Sequence, residues 1–196
     1  NNLDFNSICD IGCGYGGVLR ILNKNLSSEI DFEGFDISKK AIEISRKFQN
    51  ANLSFSEMQL FYDNDNKYDL LLALDVFEHV DDYLGFLKKI RDRSSKHIFH
   101  VPLDMSALNI IRKHPIIHAR ESVGHLHYFS EETALATLTF CGYEVIDYFI
   151  TPSFTSSPNT SFKSKVFNVF RKSLYNLNQS AAANLLNGFS MLILTK

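Results

Sequence analysis

No stretch of this chain is apolar for long enough to span a membrane, and no segment repeats another. Its three cysteines, Cys9, Cys13 and Cys141, have neither metal-ligand nor redox spacing. A reduced, cytoplasmic compartment is the expectation from that usage. Net charge is nearly absent, with 20 Lys and Arg against 22 Asp and Glu, so nothing global argues for nucleic acid as a partner. No signal peptide and no initiating methionine is visible before Asn1. What the chain does have is apolar residues, 45% of 196, enough to bury one substantial core. A single domain over residues 1–196 is expected.

Ser7 to Gly17 reads as a buried strand that turns through glycines into a helix covering Val18 to Leu22. Glycines there let the backbone turn sharply and approach a ligand, while the amides at the helix start point at whatever binds. Such a pattern alone is weak. Asp10 sharpens it, because a carboxylate two residues before the first glycine repels a pyrophosphate and suits a cofactor with positive charge and no phosphate. S-adenosylmethionine, with its ammonium and sulfonium, is such a cofactor. The segment Asp10-Ile11-Gly12-Cys13-Gly14-Tyr15-Gly16 resembles motif I of the class I S-adenosylmethionine-dependent methyltransferases. That resemblance assigns Asp10, Gly12, Cys13, Gly14 and Tyr15 to the cofactor. A NAD-dependent oxidoreductase is the competing enzyme reading, and Asp10 disfavours it.

Strands and helices alternate along the chain, which predicts a mostly parallel sheet wrapped by helices. Strands are expected at Ile30 to Asp36, Leu53 to Ser56, Tyr68 to Leu74, His97 to Val101, Tyr143 to Thr151 and Phe189 to Thr195. Ser38 reads as an N-cap, with Ile37 and Ile42 as a hydrophobic staple, opening a helix to about Asn50 with Ala41, Ile44, Ser45 and Phe48 inward. Further helices are expected from Asp82 to Arg91, from Ser106 to Arg112 with a break at Pro115, and from Ser130 until Gly142 closes it. A Ser-, Thr- and Pro-rich loop from Thr151 to Ser161 precedes a helical segment from Phe162 to about Leu186. An insert of that length, about 158–187, reads as a lid or a partner surface.

Three more segments extend the resemblance, which runs from about Ile8 to Ile150. Gly34-Phe35-Asp36-Ile37 places an acid 22 residues after Gly14, where a carboxylate reaches ribose hydroxyls; the family pattern gives Asp36 to the ribose and Ile37 to adenine packing. Ser56-Glu57-Met58 matches the place where an acid accepts from the adenine amino group and the next amide reaches a ring nitrogen. Leu74-Asp75-Val76-Phe77-Glu78-His79-Val80 is similar to the segment after the fourth strand in small-molecule methyltransferases of the ubiquinone-biosynthesis type. Leu74 and Asp75 would lie beside the cofactor at that strand's carboxyl end. The Asp/Asn-Pro-Pro-aromatic signature of nucleic-acid amino methyltransferases is missing.

The resemblance implies an α/β Rossmann-like methyltransferase fold: a seven-stranded sheet in the order 3-2-1-4-5-7-6, last strand antiparallel, helices on both faces. It also implies methyl transfer from S-adenosylmethionine, leaving S-adenosylhomocysteine, to a small-molecule acceptor, with oxygen as the expected target. Residues preceding Asn1, common in such enzymes, are expected to help cover the site. A neutral histidine could take the acceptor's proton, and His79, His125 and His127 are the candidates, His125 first. His114, His118, His125 and His127 are poorly preorganised for a metal, and none is expected. Residues 162–186, with Phe162, Val166, Phe167, Val169 and Phe170 among Lys163, Lys165, Arg171 and Lys172, could contact a membrane surface or a protein, or simply pack on the domain. A catalytically silent cofactor-binding subunit with a partner-docking insert is the alternative from another class. Oligomeric state is left open.

Overall fold

The computed structural model describes residues 5–155 and 162–196, without the side chains of residues 155, 162 and 163. Seven strands form one sheet: β1 Ser7–Ile11, β2 Asp31–Asp36, β3 Leu53–Glu57, β4 Leu70–Leu74, β5 His97–Pro102, β6 Val145–Thr151 and β7 Ser190–Thr195. Their order is 3-2-1-4-5-7-6, with β7 antiparallel to both neighbours and every other pairing parallel, as the sequence led us to expect. The helices are α1 Gly17–Asn25, α2 Lys39–Ser45, α3 Met58–Asp63, α4 Tyr83–Arg91, α5 Ala107–Arg112, α6 His114–His118, α7 Glu131–Phe140, α8 Phe162–Leu177 and α9 Gln179–Leu185.

Each strand's burial follows from its place. β4 lies between β1 and β5, and its run Leu70 to Ala73 is buried throughout because both faces are covered. β5 alternates, with His97, Phe99 and Val101 buried and the residues between them half-exposed. β6, at the edge, leaves Ile146, Asp147, Tyr148 and Phe149 exposed. Two apolar clusters result. One gathers Cys9, Ile11, Phe35, Phe61, Phe77 and Phe99 with α4, α7 and α9; the other gathers Ile8, Leu19, Phe32, Ile42 and Phe55 with α1 and α2. Parallel register (Ile11 opposite Phe35 and Ala73, Asp36 opposite Glu57) brings the carboxyl ends of the first four strands to one edge. In open α/β sheets that edge is where ligands bind.

The caps behave as read. Ser38 Oγ accepts the Ala41 amide at 3.3 Å, and Gly142, at φ 91°, follows the end of α7. Ser130 Oγ accepts the Thr133 amide while Thr133 Oγ1 accepts the Ser130 amide at 2.8 Å, a reciprocal cap. Ser130→Ala should therefore lower stability by about 1 kcal/mol, read as a fall of roughly 2 to 4 °C in thermal melts. No change in the melts would mean that Thr133 alone caps α7.

Several expectations need correction. Ile37 is 84% exposed while Ile42 is buried, so no staple forms. α2 stops at Ser45, whose hydroxyl donates back to the Ile42 carbonyl, and tightens into a 3-10 turn over Arg46–Phe48. Phe48 is thereby on the outside, under the Arg20 guanidinium at 3.4 Å. The break near Pro115 falls at Lys113, φ 59°, because proline suits the first turn of α6. α1 runs to Asn25, three residues further than read, and β6 starts at Val145. A six-residue α3 and a π-helical turn at Ala119–Val123 were not anticipated. The helical insert is two helices, because Asn178 caps α9 by accepting the Ala181 amide. Residues 156–161 of the expected loop, and the Phe162 side chain, lie outside the described residues.

Candidate functional site

After β1 the chain turns through Gly12, Gly14 and Gly16, all with φ between 53° and 75°. Gly12 and Cys13 donate their amides to the Phe35 carbonyl at 2.7 and 3.1 Å, fastening the turn to β2. A Cβ on Gly12 would stand 2.6 Å from Val76 Cγ2. Gly14 has open space instead, and its amide donates to Asp36 Oδ2 at 2.8 Å. The other Asp36 oxygen accepts from the Ser38 amide at 2.7 Å. Each carboxylate oxygen has two lone pairs, so Asp36 can still accept two more donors. Gly16 caps α1 with its backbone alone, leaving the first amides of the helix free of side-chain caps.

Beneath the turn, Asp10 is 3% exposed, and burial, reinforced by the nearby Asp36 charge, pushes its pKa up to about 7. Cys13 is buried and its thiol is raised chiefly by desolvation, which makes it inert packing. Tyr15 is exposed, and Leu74 packs half-buried against the second core cluster. Glu57 stands at the start of α3 with Lys39 Nζ 3.5 Å from its carboxylate, and Met58 is buried behind it.

Beyond β4 the chain passes through Asp75, φ 53°, into a 3-10 turn at Phe77–His79. The turn is anchored by Phe77, fully buried against Phe99 and Phe129. Asp75 Oδ1 accepts from His100 Nδ1 at 2.7 Å, and that hydrogen bond raises the His100 pKa. His79 Nδ1 is 3.0 Å from the Gly124 carbonyl, which can only accept, so Nδ1 carries the proton in the neutral ring and Nε2 is left with a lone pair. His125 packs edge-on to His79 with ring centres 4.9 Å apart. Its Nδ1 donates to Asp104 at 2.7 Å, and Asp104 raises its pKa. His127 Nε2 is 3.0 Å from the Val80 carbonyl, a loop fastening.

Glu78 is the residue the sequence did not single out. It is fully buried, neither carboxylate oxygen has a hydrogen-bond partner among the described residues, and burial raises its pKa to about 7. One ligand atom each from Glu78, His79 and His125 all lie within 4.8 Å of one another. The trio offers a carboxylate and two imidazoles to a single cation; without one, protonation removes the buried charge and leaves the acid's polar atoms unpartnered among the described residues. The trio is assembled from β4's exit turn and the loop before α7, so no local spacing announces it.

A cavity of about 910 Å³ lies at this edge of the sheet. Gly12, Asp36, Ile37, Met58, Asp75 and His79 all line it. Asp10, Cys13, Gly14, Tyr15, Glu57, Leu74 and His125 do not, although Gly14 and His125 contact residues that do. Tyr62, Phe86 and Lys89, from α3 and α4, line it and were not foreseen. Among the described residues of α8 none lines it: Phe167, Leu174 and Tyr175 pack on the core, while Val166, Val169 and Phe170 are exposed. Among the described residues no helix is long and apolar enough to cross a membrane.

Comparison with known proteins finds that the methyltransferase-domain family matches residues 1–148. A mitochondrial ubiquinone biosynthesis O-methyltransferase of Dictyostelium discoideum is 28% identical over 102 residues, covering 43% of this chain and 31% of that protein. The chain thus matches about a third of the length of its curated relative. Among solved structures, a Haloferax volcanii complex with the Trm112 methyltransferase activator aligns at TM-score 0.67 and 16% identity, covering 97% of this chain and 81% of that one. Magnesium protoporphyrin IX methyltransferase of Synechocystis, solved with bound SAH, aligns at TM-score 0.62 and 15% identity, covering 96% and 73%.

Proposed function

The chain belongs to the methyltransferase-domain family, and on that premise we propose that it transfers a methyl group from S-adenosylmethionine to a small-molecule acceptor, at oxygen. The observation that carries this reading is one cavity lined by Gly12, Asp36, Ile37, Met58 and Asp75 at the carboxyl edge of a parallel sheet. When bound, the cofactor supplies a methyl on a cationic sulfur. Asp36 has acceptor capacity for two ribose hydroxyls, and Ile37, 84% exposed, offers an apolar face for adenine. Glu57 accepts from the adenine amino group, with the Met58 amide beside it. Gly12, Cys13, Gly14 and Tyr15 would hold the methionine half, Asp10 would answer its ammonium, and Leu74 and Asp75 would close the β4 side.

The protein must then hold the nucleophile in line, exclude water and take a proton. His79 lines the cavity, and Nε2 is the lone-pair nitrogen of its neutral ring, so we assign it the proton, with His125 packed edge-on against it. On this reading residues 1–196 form one methyltransferase domain. The outward face of α8, with Val166, Val169 and Phe170 exposed, favours a second reading in which a silent cofactor-binding subunit docks a partner. Methyl transfer to any acceptor in a screen with labelled S-adenosylmethionine excludes that second reading.

Calorimetry tests the first. S-adenosylmethionine and S-adenosylhomocysteine should bind and NAD should not; binding of NAD alone would overturn the reading. Asp36→Ala should weaken both sulfur ligands by roughly 1.5 to 3 kcal/mol, since charge-assisted hydrogen bonds are lost. Unchanged affinity would leave Asp36 only its bonds to the Gly14 and Ser38 amides.

A further inference from the structure

Among the described residues that line the cavity, Asp75 is the non-glycine one with a positive φ, 53°, an uncommon conformation that Asp and Asn adopt more readily than other side-chain-bearing residues. Two hydrogen bonds impose it here, and both involve His100. The Asp75 amide donates to the His100 carbonyl at 3.0 Å, and His100 Nδ1 meets Asp75 Oδ1 at 2.7 Å. On its far side the imidazole has Nε2 3.5 Å from Thr151 Oγ1, whose hydroxyl donates to the Ser190 carbonyl at 3.2 Å. The ring is thus tied to β6 and β7 and does not itself line the cavity. Among the described residues no donor reaches Asp75 Oδ2, on a side chain that is 53% exposed.

Asp36 ends β2 and Asp75 follows β4, with β1 between these strands, so the two strands lie about 10 Å apart at roughly 4.8 Å per strand and both acids line the cavity. With the ribose hydroxyls on Asp36, the rest of the cofactor would extend along the same cavity, which Asp75 also lines, and its sulfur would lie on the Asp75 side. We propose that Asp75, positioned by His100, is the carboxylate that distinguishes the cationic methyl donor from its neutral thioether product, holding the first and letting the second go. The inference rests on the methyl-transfer reading. It also gives the two acids different roles, since Asp10 answers the ammonium that donor and product share and Asp75 the sulfonium that only the donor carries.

Calorimetry of the full chain with S-adenosylmethionine and S-adenosylhomocysteine tests this without knowledge of the acceptor. Asp75→Asn should weaken the donor about tenfold and the product less than twofold, because an opposite charge near 4 to 6 Å is lost for the sulfonium alone. His100→Ala should shift the ratio in the same direction. His100→Asn, whose amide can donate where Nδ1 did, should keep the ratio within twofold of wild type. If His100→Ala does not fold, His100→Gln supplies the lost-contact arm, since its amide reaches the Nε2 position and not Nδ1. An unchanged ratio in Asp75→Asn overturns the proposal. A ratio that moves toward the donor in His100→Ala overturns the positioning role, leaving His100 as a mere neutraliser. Failure of the wild type to bind either ligand strikes the methyl-transfer reading instead.

Discussion

Gly16→Ala should destabilise the protein by about 2 to 5 kcal/mol, and Gly14→Ala by only about 1 to 2 kcal/mol. Both glycines have positive φ, 74° and 53°, so both variants incur the left-handed strain of a side-chain-bearing residue. Only at Gly16 is the space already taken: its Cβ would stand 2.4 Å from Phe55 Cζ. Phe55 is 2% exposed and wedged into the second core cluster, and a Cβ on Gly34 would meet the same ring at 2.6 Å. The ring has nowhere to retreat, so overpacking adds to the backbone cost. Denaturant titration of the two variants measures the difference. Equal losses would show that backbone strain alone explains these glycines.

That comparison marks where the sequence was legible. A glycine-rich turn after an apolar strand can be read from spacing, and so can the doubly covered β4, the alternation that makes a parallel sheet, and the caps at Ser38 and Ser130. Those signals are local. Phe55 as the reason for Gly16 and Gly34 is a contact between strand and turn that no spacing encodes. α3 escaped for a similar cause: six residues are too few for a periodic pattern, and they coil because Met58 and Phe61 are drawn into the core. An apolar residue before a cap usually packs inward, which suggests a staple for Ile37 beside the adenine role that the resemblance implies; its exposure on the cavity lining excludes the staple. Glu78 and His100 lay unread because His125, which completes the Glu78–His79 trio, and Asp75, which meets His100, come from separate segments of the chain.

Asp10→Asn should stabilise the protein at pH 8, on the order of 2 to 4 kcal/mol, and leave it unchanged near pH 4. Burial beside Asp36 raises the Asp10 pKa from its ordinary value to about 7, so between those values the folded state holds a proton that the unfolded state has released. Stability must then fall as pH rises through that window, with the full cost present above pH 7. Asparagine keeps the shape and has no charge to desolvate, so thermal melts of the variant should lose this part of the pH slope. On the proposed assignment of Asp10 to the ammonium, the same substitution should weaken S-adenosylmethionine and S-adenosylhomocysteine alike, by tenfold or more, since both ligands carry that group. Wild-type affinity for both should rise from pH 6 to pH 8 as Asp10 gives up its proton without help from the ligand. A buried acid repelled by Asp36 near the end of β1 costs stability, and on the proposed reading cofactor binding is what it serves. Melts with the wild-type pH slope in Asp10→Asn, or unaltered affinity for both ligands, would refute that exchange.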